Sequence, residues 1–235
     1  MGFPTTTWST ILTARDRDRT GFRQALEKLC RMYWYPVYSY TRRQGHSRED
    51  AEDLTQEFFS RMIEKQILQA VNEERGRFRW FLLTALKRFL ANEWSREQAK
   101  KRGGGLIFFS LEFTGAEGRY LKEPMHEMTP EKVFHRGWSL TILERTLGRL
   151  RDEHAELGDS LDFDRLKTYL TGDAPRGYYS RLAAEIGLTE GATRVAVHRM
   201  RRRFGDLLRA EIRETVASDQ DVDDEIRFLF EAVGA

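Results

Sequence analysis

The sequence predicts an all-α protein: two small helical domains joined by a flexible linker, the second a helix-turn-helix domain. Three observations carry that expectation. Apolar residues recur at helical spacing through most of the 235 residues, and no run alternates as a strand would. Gly103-Gly104-Gly105 breaks the pattern and opens a connector that runs to about Met128. Toward the C-terminus, two short helical patterns flank Gly187, as a helix-turn-helix requires. The predicted domains are therefore 1–102 and 129–217, with a linker at 103–128 and an acidic tail at 218–235.

Composition narrows the function classes. Lys and Arg number 39 against 37 Asp and Glu, so a nucleic-acid binder with this balance must segregate its charges locally. The single cysteine, Cys30, excludes an internal disulfide and any multi-cysteine zinc site. The start lacks a basic segment followed by an apolar one, and no apolar run reaches membrane-spanning length. The expectation is a cytoplasmic protein with no membrane insertion.

Residues 1–20 read as an irregular lead-in. A helix then starts near Gly21, with Phe22, Leu26, Leu29 and Tyr33 on one face. Pro36 is expected to break it and to open a second helix that stops at Gly45. Ser47 and Asp50 resemble a capping box for a helix from Arg48 to about Lys65. Its core stripe is Ala51, Leu54, Phe58 and Met62. Asp50, Asp53, Glu57 and Glu64 form an acidic row, and Gln56, Phe59 and Ile63 lie between. Such a border suits docking onto a basic partner helix, and equally suits an amphipathic helix with a wide stripe and a solvated face.

Arg75, Arg77 and Arg79 interleave with Phe78, Trp80 and Phe81, and a helix continues through Leu82, Leu86, Phe89 and Trp94 to Arg96, Lys100, Lys101 and Arg102. Aromatics among cations supply what a single nucleic-acid strand needs, rings for bases and charge for phosphates. Phe81 and Phe89 also fit a core, and Trp80 fits either place. The triple glycine is no phosphate loop, since no strand precedes it and no Lys-Ser/Thr follows. Leu106 to Leu111 is a short apolar segment within the connector.

Thr129-Pro130-Glu131 places cap, proline and acid in the order of a helix start. Phe134, Trp138, Leu143, Leu147 and Leu150 continue toward Gly158, with Gly137 and Gly148 weakening a continuous helix. Leu161 to Leu170 reads as another short helix. Ser180 is expected to cap the first helix of the turn motif, with Leu182, Ala183 and Ile186 inward. Thr189 caps the second, with Glu190 in its first turn. There Thr193, Val197, Met200 and Phe204 share an inward stripe, while Arg194, Val195, His198, Arg199, Arg201, Arg202 and Arg203 form a cationic side suited to the major groove. A helix with Leu207, Leu208, Ile212 and Val216 follows. The tail combines Asp219, Asp221, Asp223, Asp224 and Glu225 with Ile226, Phe228, Leu229 and Phe230, so it can cover a basic surface, fill an apolar groove or pack as a last helix.

Catalysis finds little support. His46, His126, His135, His154 and His198 lack metal-ligand spacing, and Asp50, Asp53 and Glu57 face no histidine or second carboxylate in the pattern. The expectation is a non-enzyme without metal or cofactor.

The order of Asp50-Ala-Glu-Asp-Leu-Thr-Gln-Glu-Phe-Phe59, the Arg77–Arg102 block and Leu182-Ala-Ala-Glu-Ile-Gly-Leu-Thr-Glu-Gly through His198-Arg199-Met-Arg201 resembles the extracytoplasmic-function (group IV) sigma factors, over roughly residues 20–215. The resemblance implies a promoter-recognition subunit of bacterial RNA polymerase. It makes Asp50, Asp53, Gln56, Glu57 and Phe59 contacts to the β′ clamp helices of the core enzyme. It gives Arg77, Arg79, Trp80, Lys87, Arg88, Asn92, Arg96, Lys100, Lys101 and Arg102 to reading and melting the minus-ten element. It gives Thr189, Arg194, Val195, His198, Arg199, Arg201 and Arg202 to the minus-thirty-five element, the linker to the RNA exit path, and admits the β flap and an anti-sigma factor as partners. Lys87 and Ala91 depart from the Asn and Asp that members place seven and eleven residues after the matching tryptophan, which leaves base preference open. The competing readings are a free-standing dimeric helix-turn-helix repressor and a protein-interaction adaptor.

Overall fold

The structure is a computed structural model, and it describes residues 9–16, 20–64, 67–70, 77–97, 115–122, 127–156, 163, 167, 170, 177–216 and 218–234. The described residues contain helices and no strand: α1 (Ser9–Arg15), α2 (Phe22–Arg43), α3 (Arg48–Glu64), a 3-10 turn (Ile67–Ala70), α4 (Phe78–Glu97), α5 (Ala116–Lys122), α6 (Pro130–Glu156), α7 (Tyr178–Ile186), α8 (Glu190–Arg213) and α9 (Asp219–Gly234). They fall into two compact units, residues 1–141 with 212–235, and residues 142–211. The segments 130–141 and 212–235 thus belong to the first unit, which the sequence ranges did not anticipate.

In the first unit α2 is central. Pro36 does not divide it. The helix runs unbroken from Phe22 to Arg43 with Pro36 inside. An interior proline costs about 3 kcal/mol through a lost hydrogen bond and a clash with the preceding turn. Here every residue from Met32 to Thr41 is buried, and apolar burial of that extent outweighs the local cost. Gly137 on α6 shows how close the packing is. A Cβ there would stand 3.3 Å from the Tyr35 ring, 3.2 Å from Ser39 Oγ and 3.4 Å from Pro36 Cα. Glycine lets α6 approach α2 at the proline, and the glycine that clouded the sequence pattern lies inside a continuous helix.

The ends of the chain also fold onto this unit. The lead-in contains α1, with Ile11 and Ala14 buried on one face and Thr10 Oγ1 donating to Glu214 at 3.2 Å. Part of the expected flexible connector is α5. Glu117 accepts from Arg42 Nη2 at 2.8 Å and from the Tyr38 hydroxyl. The Arg42 guanidinium lies 5.1 Å from the Tyr120 ring, and that of Arg119 lies 3.9 Å from the Tyr35 ring. Leu106 to Leu111 lie outside the described residues. The acidic tail forms α9, whose Val222, Glu225 and Leu229 are buried.

In the second unit α7 begins at Tyr178 after Gly177, a left-handed residue with φ 75° and no side-chain cap, so Ser180 sits inside the helix rather than capping it. Gly187 closes α7 at φ 72°, its neighbour Leu188 donating to the Ala183 carbonyl at 2.9 Å. Thr189 caps α8 as the sequence predicts, Oγ1 accepting from Ala192 N at 3.2 Å. Thr193, Val197, Met200 and Phe204 are all buried. Glu211 is buried at the end of this stretch, held by Arg145 Nε at 3.2 Å and Arg149 Nη1 at 2.7 Å from α6. Of the expected 161–170 helix, only residues 163, 167 and 170 are described.

Candidate nucleic-acid interface

Three surfaces come from the predicted residues. The first is α3. Ser47 caps it, Oγ accepting from Asp50 N at 3.1 Å and donating to Asp50 Oδ2 at 2.8 Å. Ala51, Leu54, Phe58 and Met62 turn inward. Asp50 and Asp53 are exposed, and Gln56 and Glu57 half-buried, with Glu57 paired to Arg61. Phe59 does not join them. It is 3% exposed and stacks on Trp34 at a centroid distance of 5.8 Å. Its hydrophobic area is spent inside, so Phe59 supports the acidic face from beneath and is no surface contact.

The second surface is α4, and here the structure rearranges the predicted set. Arg79 is 1% exposed. Glu225 of α9 accepts from it twice, at 2.7 Å from Nε and 3.0 Å from Nη2. Its guanidinium lies 3.7 Å from the Phe228 ring, 4.9 Å from Trp80 and 5.4 Å from Trp138. His135 completes the cage, its Nδ1 3.1 Å from Arg79 Nη1. A guanidinium only donates, so Nδ1 accepts and the imidazole is neutral. Burial, and then the Arg79 charge, push the His135 pKa down to about 3. Arg79 is therefore removed from the nucleic-acid set: its charge is neutralised within the fold. Arg77 is half-buried and also pairs with Glu225, at 2.6 Å.

What α4 leaves exposed is a stripe of Trp80, Thr84, Lys87, Arg88, Ala91, Asn92 and Trp94. Lys87 pairs with Glu131 at 2.6 Å, a contact that raises the lysine pKa and lowers that of the carboxyl. Arg88 and Asn92 line a pocket of about 290 Å³ whose other walls include Phe58, Ile67, Phe81 and Phe89. Trp94, which the sequence pattern placed only along the run of the helix, is 68% exposed. Its signal was legible in the steps 80, 87, 91 and 94, which share one helical face. The Arg96 side chain and Lys100, Lys101 and Arg102 lie outside the described residues.

The third surface is α8. Thr189, Val195, His198, Arg199 and Arg202 are exposed, Val195 to 50%, and Arg201 is half-buried. Arg194 pairs with Glu190 at 2.7 Å and lies over the Tyr179 ring at 4.6 Å. Arg203 is held by Glu153 at 2.7 Å. The inward stripe of α8 is buried as the sequence predicts, and of the expected cationic side Arg201 alone is half-buried.

No cluster of three metal-binding side chains occurs among the described residues, and no helix there is long and apolar enough to cross a membrane. Residues 29–100, which hold α3, α4 and most of α2, match the family Sigma-70 region 2. Over 205 residues the chain is 25% identical to the ECF RNA polymerase sigma factor SigE of Mycolicibacterium smegmatis, covering 86% of this chain and 69% of that protein. No solved structure matches the chain.

Proposed function

We infer the roles of these surfaces from one premise: the chain belongs to the extracytoplasmic-function sigma factors, and it joins core RNA polymerase and takes it to promoters. The observation that carries the assignment of surfaces is α3, whose apolar stripe is buried while Asp50 and Asp53 point out, within the segment that matches Sigma-70 region 2. The acidic face of α3, with Gln56 and Glu57 at its edge, docks on the β′ clamp helices of the core enzyme. Exposed carboxylates raise the on-rate toward a basic partner and set its register more than they add affinity.

The exposed stripe of α4 holds the non-template strand of the minus-ten element. Trp80 gives a base a ring to stack on, Lys87 and Arg88 face phosphates, and the apolar pocket beside Arg88 and Asn92 shelters an unstacked base. On α8, Val195, His198, Arg199 and Arg202 enter the major groove of the minus-thirty-five element, with Val195 against a thymine methyl. Arginines that reach phosphates position the duplex, and those that reach base edges choose the sequence. The β flap and an anti-sigma factor remain partners that the family suggests. The protein itself performs no bond-breaking chemistry.

The test is copurification. Asp50→Lys with Asp53→Lys inverts the exposed part of the α3 face and removes no buried group. Core polymerase should then no longer copurify, run-off transcription should be lost, and the circular dichroism should be unchanged. Retained copurification would move the docking surface elsewhere.

A further inference from the structure

We propose that Trp94 is a second stacking platform for the promoter strand, at the far end of α4 from Trp80. The inference rests on the reading of α4 as the strand-binding helix and adds a specific residue to it. Trp94 exposes more of its surface than any other large apolar side chain on α4, 68% against 46% for Trp80. A tryptophan left that open gains nothing from the fold, because its indole face meets water instead of protein.

Its direction gives it a partner. Fourteen residues separate it from Trp80, close to four helical turns, so both rings project from nearly the same side. Between them on that side lie Thr84, Lys87 and Ala91, with Arg88 at the edge, all exposed. Neither tryptophan has an exposed apolar neighbour on the stripe large enough to form a protein-docking patch. The separators are cationic or small, and the order ring, cation, ring suits a polyanion with flat bases. At 1.5 Å per residue the rings stand about 21 Å apart along the helix. At the 3.4 Å per nucleotide of a stacked strand that spans about six nucleotides, and an unstacked strand covers it in fewer. Trp80 is partly committed inward, its ring 4.5 Å from that of His135. Among the described residues no ring contact is recorded for Trp94, which is the more exposed platform of the two.

The experiment uses full-length protein bound to core polymerase and fork-junction DNA, duplex upstream with a single-stranded non-template extension. Trp94→Ala should weaken binding of the fork roughly tenfold, the loss of one base stack, while Trp94→Phe should retain most of the affinity. An abasic site scanned along the extension should find one position where Trp94→Ala adds no further loss. That position should differ from the one that couples in the same way to Trp80→Ala, by at most about six nucleotides. Full affinity in Trp94→Ala, with Arg88→Ala still impaired, would discard the second platform and keep α4 as the strand-binding helix. If Trp80→Ala, Arg88→Ala and Trp94→Ala all bind the fork like wild type, the reading of α4 itself fails, and with it this proposal.

Discussion

The two units use arginine in opposite ways. In the first, Arg79 stands among aromatics and is buried against Glu225, walled by Trp80, Trp138 and Phe228. In the second, Arg199 and Arg202 stand on a helix with a clean apolar stripe behind them and remain in water. Interleaved cations and rings therefore have two meanings in one sequence. A guanidinium caged by rings and a carboxylate satisfies its donors at home, and one on a sorted helical face is left available to a partner. What separates the two is a carboxylate 146 residues away in the chain.

Breaking the cage should produce the largest effect. Glu225→Ala leaves Arg79 charged, buried and unpaired, and removing one partner of a buried pair costs about 3–5 kcal/mol. Arg79→Met with Glu225→Leu, which removes both charges, should recover most of that loss. Glu211 gives the contrast within the other unit. Its partners Arg145 and Arg149 keep 27% and 45% of their side chains exposed, so after Glu211→Ala they turn to water at a cost of roughly 1–2 kcal/mol. Urea unfolding of the full chain compares the variants. Equal losses for Glu225→Ala and Glu211→Ala would erase the distinction between caged and open cations.

The cage also makes stability depend on pH, with a sign the structure fixes. His135 has its pKa lowered from 6.5 to about 3 by burial and by the Arg79 charge. Between those values the unfolded chain binds a proton that the folded one refuses. The contribution of His135 is complete above pH 6.5 and is lost as pH falls toward 3, by about 1.4 kcal/mol per pH unit. His135→Gln keeps an acceptor for Arg79 and cannot titrate. The difference in unfolding free energy between wild type and this variant should shift by about that slope between pH 6.5 and 5. A constant difference across that range would mean that His135 takes up its proton in the folded state.

Local signals in the sequence carried far, and long-range ones did not. The Thr189 cap, the Gly187 turn, the Ser47 cap and the inward stripes of α3 and α8 are set by residues within a few positions of one another, so the pattern alone found them. The burial of Arg79 depends on Glu225, the continuity of α2 through Pro36 depends on its packing with Gly137, and Phe59 turns inward because Trp34 waits there. Each is decided by a partner on another helix that no window of sequence contains. For the same reason the tail sequence leaves three roles open, and α9 decides among them by placing Glu225 on Arg77 and Arg79, with Val222 and Leu229 buried beside it. Trp94 is the converse case. Its spacing aligns it with Trp80 on one face of α4, a signal contained within a single helix.

The exposed arginines of α8 should give the smallest effects on folding and a graded effect on binding. Arg199→Ala and Arg202→Ala remove no buried contact, so each should change unfolding by less than about 0.5 kcal/mol. Binding of the holoenzyme to duplex carrying the upstream promoter element separates two roles. An arginine on a phosphate, once removed, weakens all sequences alike and lowers the slope of log affinity against log salt by about 1. One that reads a base instead costs about 1–3 kcal/mol on the preferred sequence and relaxes the choice at a single position. Arg202 lies further from the α8 N-terminus, the end that enters the groove in helix-turn-helix docking, so it should behave as the phosphate contact, and Arg199 as the reader. A slope unchanged by Arg202→Ala, with affinity unchanged too, would show that the cations left open by the second unit serve some surface other than DNA.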